Sequence, residues 1–590
     1  MPKTYTINKE AMVEIGEARK RNHDKQVEKR LHAVQLRGEG KRNAEIAKQL
    51  ETSSDMISRW VSWYAKGGLE ALLPKKREAH RRNMSYAEEK SILATFEEQA
   101  QAGQVVEVSD IKMAYEAKVE VTDGLLGFET AKGDGLHVKV GVSPVESDTP
   151  VIVTGDMSAA KIKSRLGLSP LADAVMDAVQ WGANRVFCLP VKATTAGSLG
   201  SIEKSGDGGG SLTVEGSPTN AFPVIVKITA QGGLNTAAFA VSIDGGYSFT
   251  DEITVPVTGE YEPQGTGLKL KFTEAAEADQ KPGSFVVGDA YSFQTTAPAM
   301  TNGDALATIG KLKSFSQEYE FVHVVGESDL SLWQAVSEAQ LELRDVCKKP
   351  MFFMMEAAYP DGEDLTDWAL QMEADRKKVR NYDFQVVAAW GRLVKLDGTT
   401  QIVNLAGVAS GLYAKAPVQV AIGKTRTEAG FGVPRTKLLE LLPMGMDSTI
   451  IELLDIAGYL TFREYDGLDD FYVYHTKMMC PDGSDYRYAE DVRVKNKIIR
   501  ETRKEGLLVL NDDIDLEDVQ GELETRARFM FTPLQRMIDN QEISSAQIIV
   551  PEGQEETLLE DETMRVKIRY KSRGYIREVE VDLGRSPATD

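Results

Sequence analysis

Glu356 is the side chain of this sequence best placed for chemistry. It follows the apolar run "KPMFFMM", which reads as a buried strand, and α/β enzymes often present catalytic groups at the carboxyl ends of such strands. Acid–base work needs a second group within hydrogen-bond reach, and the sequence shows no convergent His or Ser partner. The six His (His23, His32, His80, His137, His323 and His475) form no HExxH spacing. Cys188, Cys347 and Cys480 lie far apart, with neither zinc spacing nor a disulfide framework. Free thiols in a reducing compartment are expected. "AIGKTR" and "GFGVPRTK" do not complete a P-loop, and "GLLGF" is no dinucleotide fingerprint. Asp207 and Asp289 lack an EF-hand pattern, and Asp244, Gly245 and Gly246 read as a turn. Glu356 therefore reads as structural. The expectation is a non-enzyme with no catalytic, cofactor-binding or metal residues.

The elements around these residues suggest several domains. At 590 residues and 42% apolar content, the chain can build sizeable cores. Its net formal charge of -21 argues against general coating of nucleic acid. The charge is uneven: residues 1–90 carry 20 Lys and Arg against 13 Asp and Glu, a net of +7, which leaves -28 on the remainder. A small basic head on a large acidic body is itself a domain signal. The opening "MPKTYTINKEAMVEIGEARKRN" has no apolar h-region. No apolar run reaches the roughly 18 residues of a membrane span, so no membrane insertion is expected.

In the head, "KQVEKRLHAVQLR" sets Val27, Leu31, Val34 and Leu36 near one helical face. "NAEIAKQL" resumes the helix after "GEGK", and Ser53 or Ser54 can cap the next helix, over 55–65. Met56, Ile57, Trp60, Val61 and Tyr64 would face inward. Ser54, Asp55, Ser58, Arg59 and Ser62 would stay exposed, able to reach base edges or phosphates. The strip "LLPKKREAHRR" adds Lys75, Lys76 and Arg77 for phosphate or minor-groove contact. "RLHAVQLRGEGKRNAEIAKQLETSSDMISRWVSWYAKGGLEALL" resembles the N-terminal helix-turn-helix of IS630/Tc1-mariner-type transposases. "SYAEEKSILATFEEQAQAGQVVEVSDIKMAYEAKV" looks like the start of that family's second subdomain, but no catalytic domain of that kind follows. Two readings stay open: a DNA-binding module, or a helical decoration whose basic residues are solvated.

The body changes texture. "GDGLHVKVGVSP" and "TPVIVTGD" read as strands, "PLADAVMDAVQWGA" as a helix and "NRVFCLPVKA" as a buried strand, pointing to an α/β core. Residues 194–296 are rich in Gly, Thr and Ser and read as an inserted antiparallel β domain, sandwich or barrel. After Ala299 the α/β pattern returns. Its near-continuous apolar strands predict a sheet covered on both faces, and "IVNLAGVASGLYAKA" is a helix suited to close packing.

From "VTDGLLGFETAKGDGLHVKVGVSP" through "VFCLPVKATTAG", "FVHVVGESD", "PMFFMMEAAYPDGEDLTDWALQMEADRKKVRNYDFQVVAAWG" and "GYLTFREYDGLDDFYVYHTKMMCPDGSDYRYAEDVRVKNKIIRETR", the chain resembles contractile-tail sheath proteins. The likeness covers residues 120–590 as an ordered series. The fold class expected is multidomain, α+β and α/β: a sheath-type core with an inserted antiparallel β domain and an all-α helix-turn-helix-like N-terminal domain. The expected partition is 1–119, 120–193, 194–296, 297–440 and 441–590.

The resemblance implies a structural subunit of a viral or virus-derived tail, assembled in the host bacterial cytoplasm. It would stack as rings, hexameric in such families, around an inner tube, and contract to drive that tube through a cell envelope for viral genome ejection. Its partners would be itself, the tube protein, and baseplate and tail terminator proteins; DNA would be met through the head only. It also places the basic helix "SDYRYAEDVRVKNKIIRETRKE" in an inner core. Arg487, Arg493, Lys495, Lys497 and Arg500 would then face the tube or neighbouring subunits, unless the helix is merely solvated. "TMRVKIRYKSRGYIREVEVDLG" predicts a hairpin turning at "KSRG", with Val566, Ile568 and Tyr570 on one face. It would add to a neighbour's sheet or pack on its own domain.

Overall fold

The computed structural model describes residues 9–21, 25–50, 52–72, 94, 133–147, 149–277, 280–362 and 364–584. The chain divides into two compact units, residues 1–105 with 113–121 and residues 106–112 with 122–590. The second helical pattern of the head and the strip holding Lys75, Lys76 and Arg77 lie outside the described residues.

The small unit consists of helices Lys9–Arg21, Lys25–Gly38, Asn43–Gln49 and Ser54–Gly67, then a 3₁₀ turn, Leu69–Leu72. Ile15, Leu31, Val34, Ile46, Ile57, Trp60 and Val61 form its core. Ser53 is the cap of the fourth helix, its hydroxyl accepting from the Met56 N–H. Gly68 stops that helix at a φ of 65°, which an L side chain rarely adopts.

The large unit is built on a sheet in the order Phe384–Val387, Phe352–Ala357, Phe321–Ser328, His137–Val142, Arg185–Val191, Val151–Thr154. All neighbours are parallel except Val151–Thr154, which runs antiparallel to Arg185–Val191. Alternation assigns the faces. Val138, Val140, Val322, Val324, Phe353 and Met355 pack against helices Leu330–Asp345, Leu365–Arg376 and Ser448–Ala457. Phe321, Phe352 and Met354 pack on the opposite side against helices Ala406–Lys415 and Ala489–Leu508. Helix Ala406–Lys415 comes close to helix Pro170–Gln180 because Gly407 and Gly411 stand at the contact: a Cβ on Gly411 would lie 2.6 Å from the Ala178 carbonyl oxygen.

Between Arg185–Val191 and Asn302–Gly310 the named strands pair antiparallel in two sheets. Leu212, Leu270 and Phe272 of one meet Val224, Val226, Phe239 and Tyr291 of the other in a common core. Asp244 locks its turn by accepting from the Ser242 hydroxyl and from the Ser248 N–H and hydroxyl. Asp289 accepts from the Gly208 and Val286 N–H groups.

The C-terminal part pairs helix Ala489–Leu508 with helix Val519–Asp539 around Val494, Ile498, Leu534 and Met537. A two-stranded antiparallel sheet, Ser545–Ile549 with Lys567–Lys571, completes it. This corrects the expected hairpin at "KSRG". Lys567–Lys571 pairs backward with Ser545–Ile549, where Ile548 faces Ile568 and Ala546 faces Tyr570. Residues 572–584 form neither helix nor strand.

Candidate functional site

Glu356 does have partners, contrary to the sequence expectation. Its Oε1 lies 2.8 Å from His323 Nε2, and its Oε2 accepts from the Gly326 N–H at 3.0 Å. His323 Nδ1 is 2.6 Å from Lys139 Nζ, which donates to Ser410 Oγ at 2.9 Å. The register aligns Lys139 with His323 on neighbouring parallel strands, and helix Ala406–Lys415 brings Ser410 down onto the same face. Burial lowers Lys139 to about 7, against the opposing pull of Glu356. Burial likewise raises Glu356 to about 7 and holds His323 well below its ordinary value. The chain Ser410–Lys139–His323–Glu356 can share protons internally. Lys139, His323 and Ser410 have no solvent exposure, so no substrate can touch them in this arrangement. Beside them Lys395 Nζ is 2.5 Å from Asp177 Oδ2.

The basic helix also departs from expectation. Arg493 is fully buried: its Nε and Nη2 engage Glu320, and Nη2 donates to the Tyr413 and Ala416 carbonyls at 2.9 and 3.0 Å. Lys495 donates to Asp383 at 2.7 Å and sits 4.1 Å from the centre of the Tyr382 ring. Lys497 lies 2.6 Å from Asp134 and 2.8 Å from Glu542, and Arg500 donates to Asp134 at 2.5 Å. These four are not free to face a tube or a neighbour. A buried charge is tolerated when paired, and loops and strands distant in sequence supply the carboxylates. Arg487 alone of the five stays exposed, its Nε donating to the Ser484 carbonyl.

Val566, Ile568 and Tyr570 turn toward the body, lining with Ile498, Ile499 and Met530 a groove of about 520 Å³. Lys567, Arg569 and Lys571 occupy the opposite, exposed face of the strand. Neither strand of this sheet pairs with a further described strand. The segment that follows is tied down by side chains. Tyr575 OH donates to the Gln419 carbonyl at 2.7 Å, and Arg577 forms an ion pair with Glu490 while lying 4.0 Å from the Tyr488 ring centre. Beyond it Val579, Val581 and Leu583 are 75%, 80% and 92% exposed, alternating with Glu578, Glu580 and Asp582. Sequence reasoning continued the hairpin through Ile576, Val579 and Val581, but among the described residues this segment pairs with no strand.

In the small unit, Ser54, Asp55, Ser58 and Arg59 are exposed on helix Ser54–Gly67, and Ser62 is half-buried. Asn43 Nδ2 donates to Ser58 Oγ at 3.3 Å, joining the two helices of the motif. The Arg30 guanidinium lies 5.8 Å from the ring of the exposed Trp63. Among the described residues, no group of His, Cys, Asp and Glu is arranged to hold a metal, and no helix is long and apolar enough to cross a membrane.

The DUF2586 N-terminal domain matches residues 116–475, the DUF2586 C-terminal domain residues 485–589, and a helix-turn-helix domain residues 29–80. No curated protein matches the chain. Among solved structures it is similar to a sheath tail protein from Desulfitobacterium hafniense, at 14% identity and a TM-score of 0.41, covering 72% of this chain and 92% of that one. A sheath tail protein from Listeria innocua matches at 12% identity and a TM-score of 0.40, with 75% and 96% covered. The sheath complex, in its contracted state, of an extracellular contractile injection system (PVC) matches at 10% identity and a TM-score of 0.44, with 78% and 93% covered.

Proposed function

The chain belongs to the DUF2586 family, and we propose that it acts as a structural subunit of a contractile sheath, polymerising by strand exchange rather than catalysing a reaction. One observation carries this reading: among the described residues, a two-stranded sheet with unpaired edges stands in the same subunit as an unpaired, alternating terminal segment. A lone pair of strands is marginal in water and gains from added strands, and an exposed edge is a template for pairing with another chain. The ordered sequence resemblance of residues 120–590 to tail sheath proteins supports the same reading.

In this proposal the copies stack as rings around an inner tube, ending at baseplate and terminator proteins. Contraction is a change of packing with no bond chemistry, multiplied over many copies. The Val566–Tyr570 edge and Arg487 are the candidate contacts between subunits, residues 194–296 are an inserted decoration, and the assembly is a tail or injection device. Electron microscopy of the purified chain with its tube tests this. Tubes or stacked rings are expected, and dispersed subunits with the tube present would refute the proposal.

A second activity is proposed for the small unit alone, on the exposed polar face of Ser54, Asp55, Ser58 and Arg59 and the helix-turn-helix match. It would bind duplex DNA, with affinity falling steeply as salt rises. Fluorescence anisotropy with a randomised duplex tests this. Loss of binding in R59A supports the reading, and no binding by the full chain at low salt rejects it.

A further inference from the structure

Arg577 stands where the packed chain becomes a free arm. Its guanidinium meets Glu490, whose side chain is 1% exposed, and lies between two aromatic faces, 4.0 Å from the Tyr488 ring centre and 4.7 Å from that of Tyr575. Glu490 also accepts from Thr476 Oγ1 at 2.5 Å, so the anchor point is fixed to the body. Asp491 is half-buried beside it, and Asp485 adds a further acidic charge. Arg577 is thus the cation facing a local excess of carboxylates.

Residues 572–577, upstream of this contact, form no strand or helix. Their described holds are few: Ser544 Oγ donates to the Ser572 carbonyl, Arg573 to the Gln541 carbonyl, and Tyr575 OH to the Gln419 carbonyl. A segment secured by side chains at a few points can detach without unzipping a ladder.

We propose that the Arg577–Glu490 contact is a releasable pin dividing the described terminal segment into a free arm, residues 578–584, and a stowed reserve, residues 572–577. Opening it leaves only the hydrogen bonds at Ser572, Arg573 and Tyr575 to hold the segment. Once these let go as well, the root of the arm moves back to Lys571, and the six residues can span at most about 20 Å at about 3.3 Å per residue. Copies joined by the arm can then change separation while the exchanged strand stays paired. The inference rests on the strand-exchange reading, because a reserve of length matters only if the arm is held by another copy.

The pin is tested first on the free full-length subunit. Chymotrypsin cleavage after Tyr575 and hydrogen exchange over 572–577 are measured in the native protein, in R577A, and in R577A/E490Q, which removes the carboxylate that R577A leaves unpaired. Cleavage is expected to rise about tenfold, for a loss of about 1.4 kcal/mol of local stability, with the thermal midpoint of the double variant unchanged. Equal protection in all three would overturn the pin. Assembly is then read by electron microscopy with the tube. A broader spread of subunit spacing in the double variant supports the reserve, and identical spacing overturns it. Failure of the native chain to assemble would instead reject the strand-exchange reading, while the cleavage result still judges the pin.

Discussion

Arg493 grips Glu320 by a two-point ion pair in which neither side chain has any solvent exposure. Glu320 also accepts from the Gly135 N–H at 2.6 Å, so the pair joins helix Ala489–Leu508 to the start of the sheet. Burial alone would raise the Glu320 carboxyl, but Arg493 beside it brings it below its ordinary value. Removing one partner strands a charge in a dry site. We expect R493M or E320L alone to cost about 3–5 kcal/mol, and the double change much less, because apolar pairs often replace buried ion pairs without loss. Urea unfolding of the three variants gives the coupling; additive losses would mean the pair is not an energetic unit.

The chain of Lys139, His323 and Glu356 should write its own signature on stability against pH. Glu356 is raised from 4.5 to about 7. The folded state therefore keeps a proton that the unfolded chain has lost, and this contribution falls as pH climbs from 4.5 to 7. Lys139 is lowered from 10.5 to about 7. Here the unfolded chain holds the extra proton, and stability is regained from pH 7 to 10.5. Asp177, Asp173, Lys395 and Cys188 face the same cluster. Thermal midpoints across this range should show a shallower descending limb in E356Q and a shallower ascending limb in K139M, with Asp173 and Asp491, both raised to about 6, supplying part of what remains of the first. Parallel curves for all three proteins would contradict this.

Two glycines should respond in opposite directions to alanine. At Gly411 the new Cβ would lie 2.6 Å from the Ala178 carbonyl oxygen and 2.7 Å from Trp181 Cβ. Overpacking costs about 1–3 kcal/mol, which outweighs a helix-propensity gain of about 1 kcal/mol. Gly16, in helix Lys9–Arg21, has nothing within 4 Å of such a Cβ. G411A should destabilise the large unit and G16A should stabilise the small one, each read by residue-resolved hydrogen exchange.

These contacts show what the sequence made legible. Alternation in "HVKVGV" and the continuous apolar run of "FFMMEA" marked strands, as did "FVHVVG", and in each the polar side chains fall on the face opposite the Val138, Val322 and Phe353 side. That regularity was readable; the convergence of Lys139 and His323, 184 positions apart, depended on register and was not. The basic helix misled for a related reason. Helical periodicity treats charge as a mark of solvent, but Arg493, Lys495 and Arg500 find Glu320, Asp383 and Asp134, 173, 112 and 366 positions away. In the terminal segment the alternation of Val566, Ile568 and Tyr570 was legible, while the choice of Ser545–Ile549 as partner came from tertiary packing. The helix-turn-helix was the most readable part, because caps and core spacing there are local.

The exposed face of the terminal arm supplies the sharpest separation of folding from assembly. Val579 and Val581 are 75% and 80% exposed in the single subunit, so replacing them with Glu removes little contact within it and should leave stability within about 0.5 kcal/mol of native. In an exchanged strand the same side chains would be taken out of water against the apolar face of a neighbouring sheet. There an added carboxylate would meet a desolvation penalty. We therefore expect V579E/V581E to be folded and monodisperse yet unable to form tubes with the inner tube present. Sedimentation velocity and electron microscopy on the same sample read both properties. Tubes from this variant at native abundance would place the assembling contact elsewhere on the subunit.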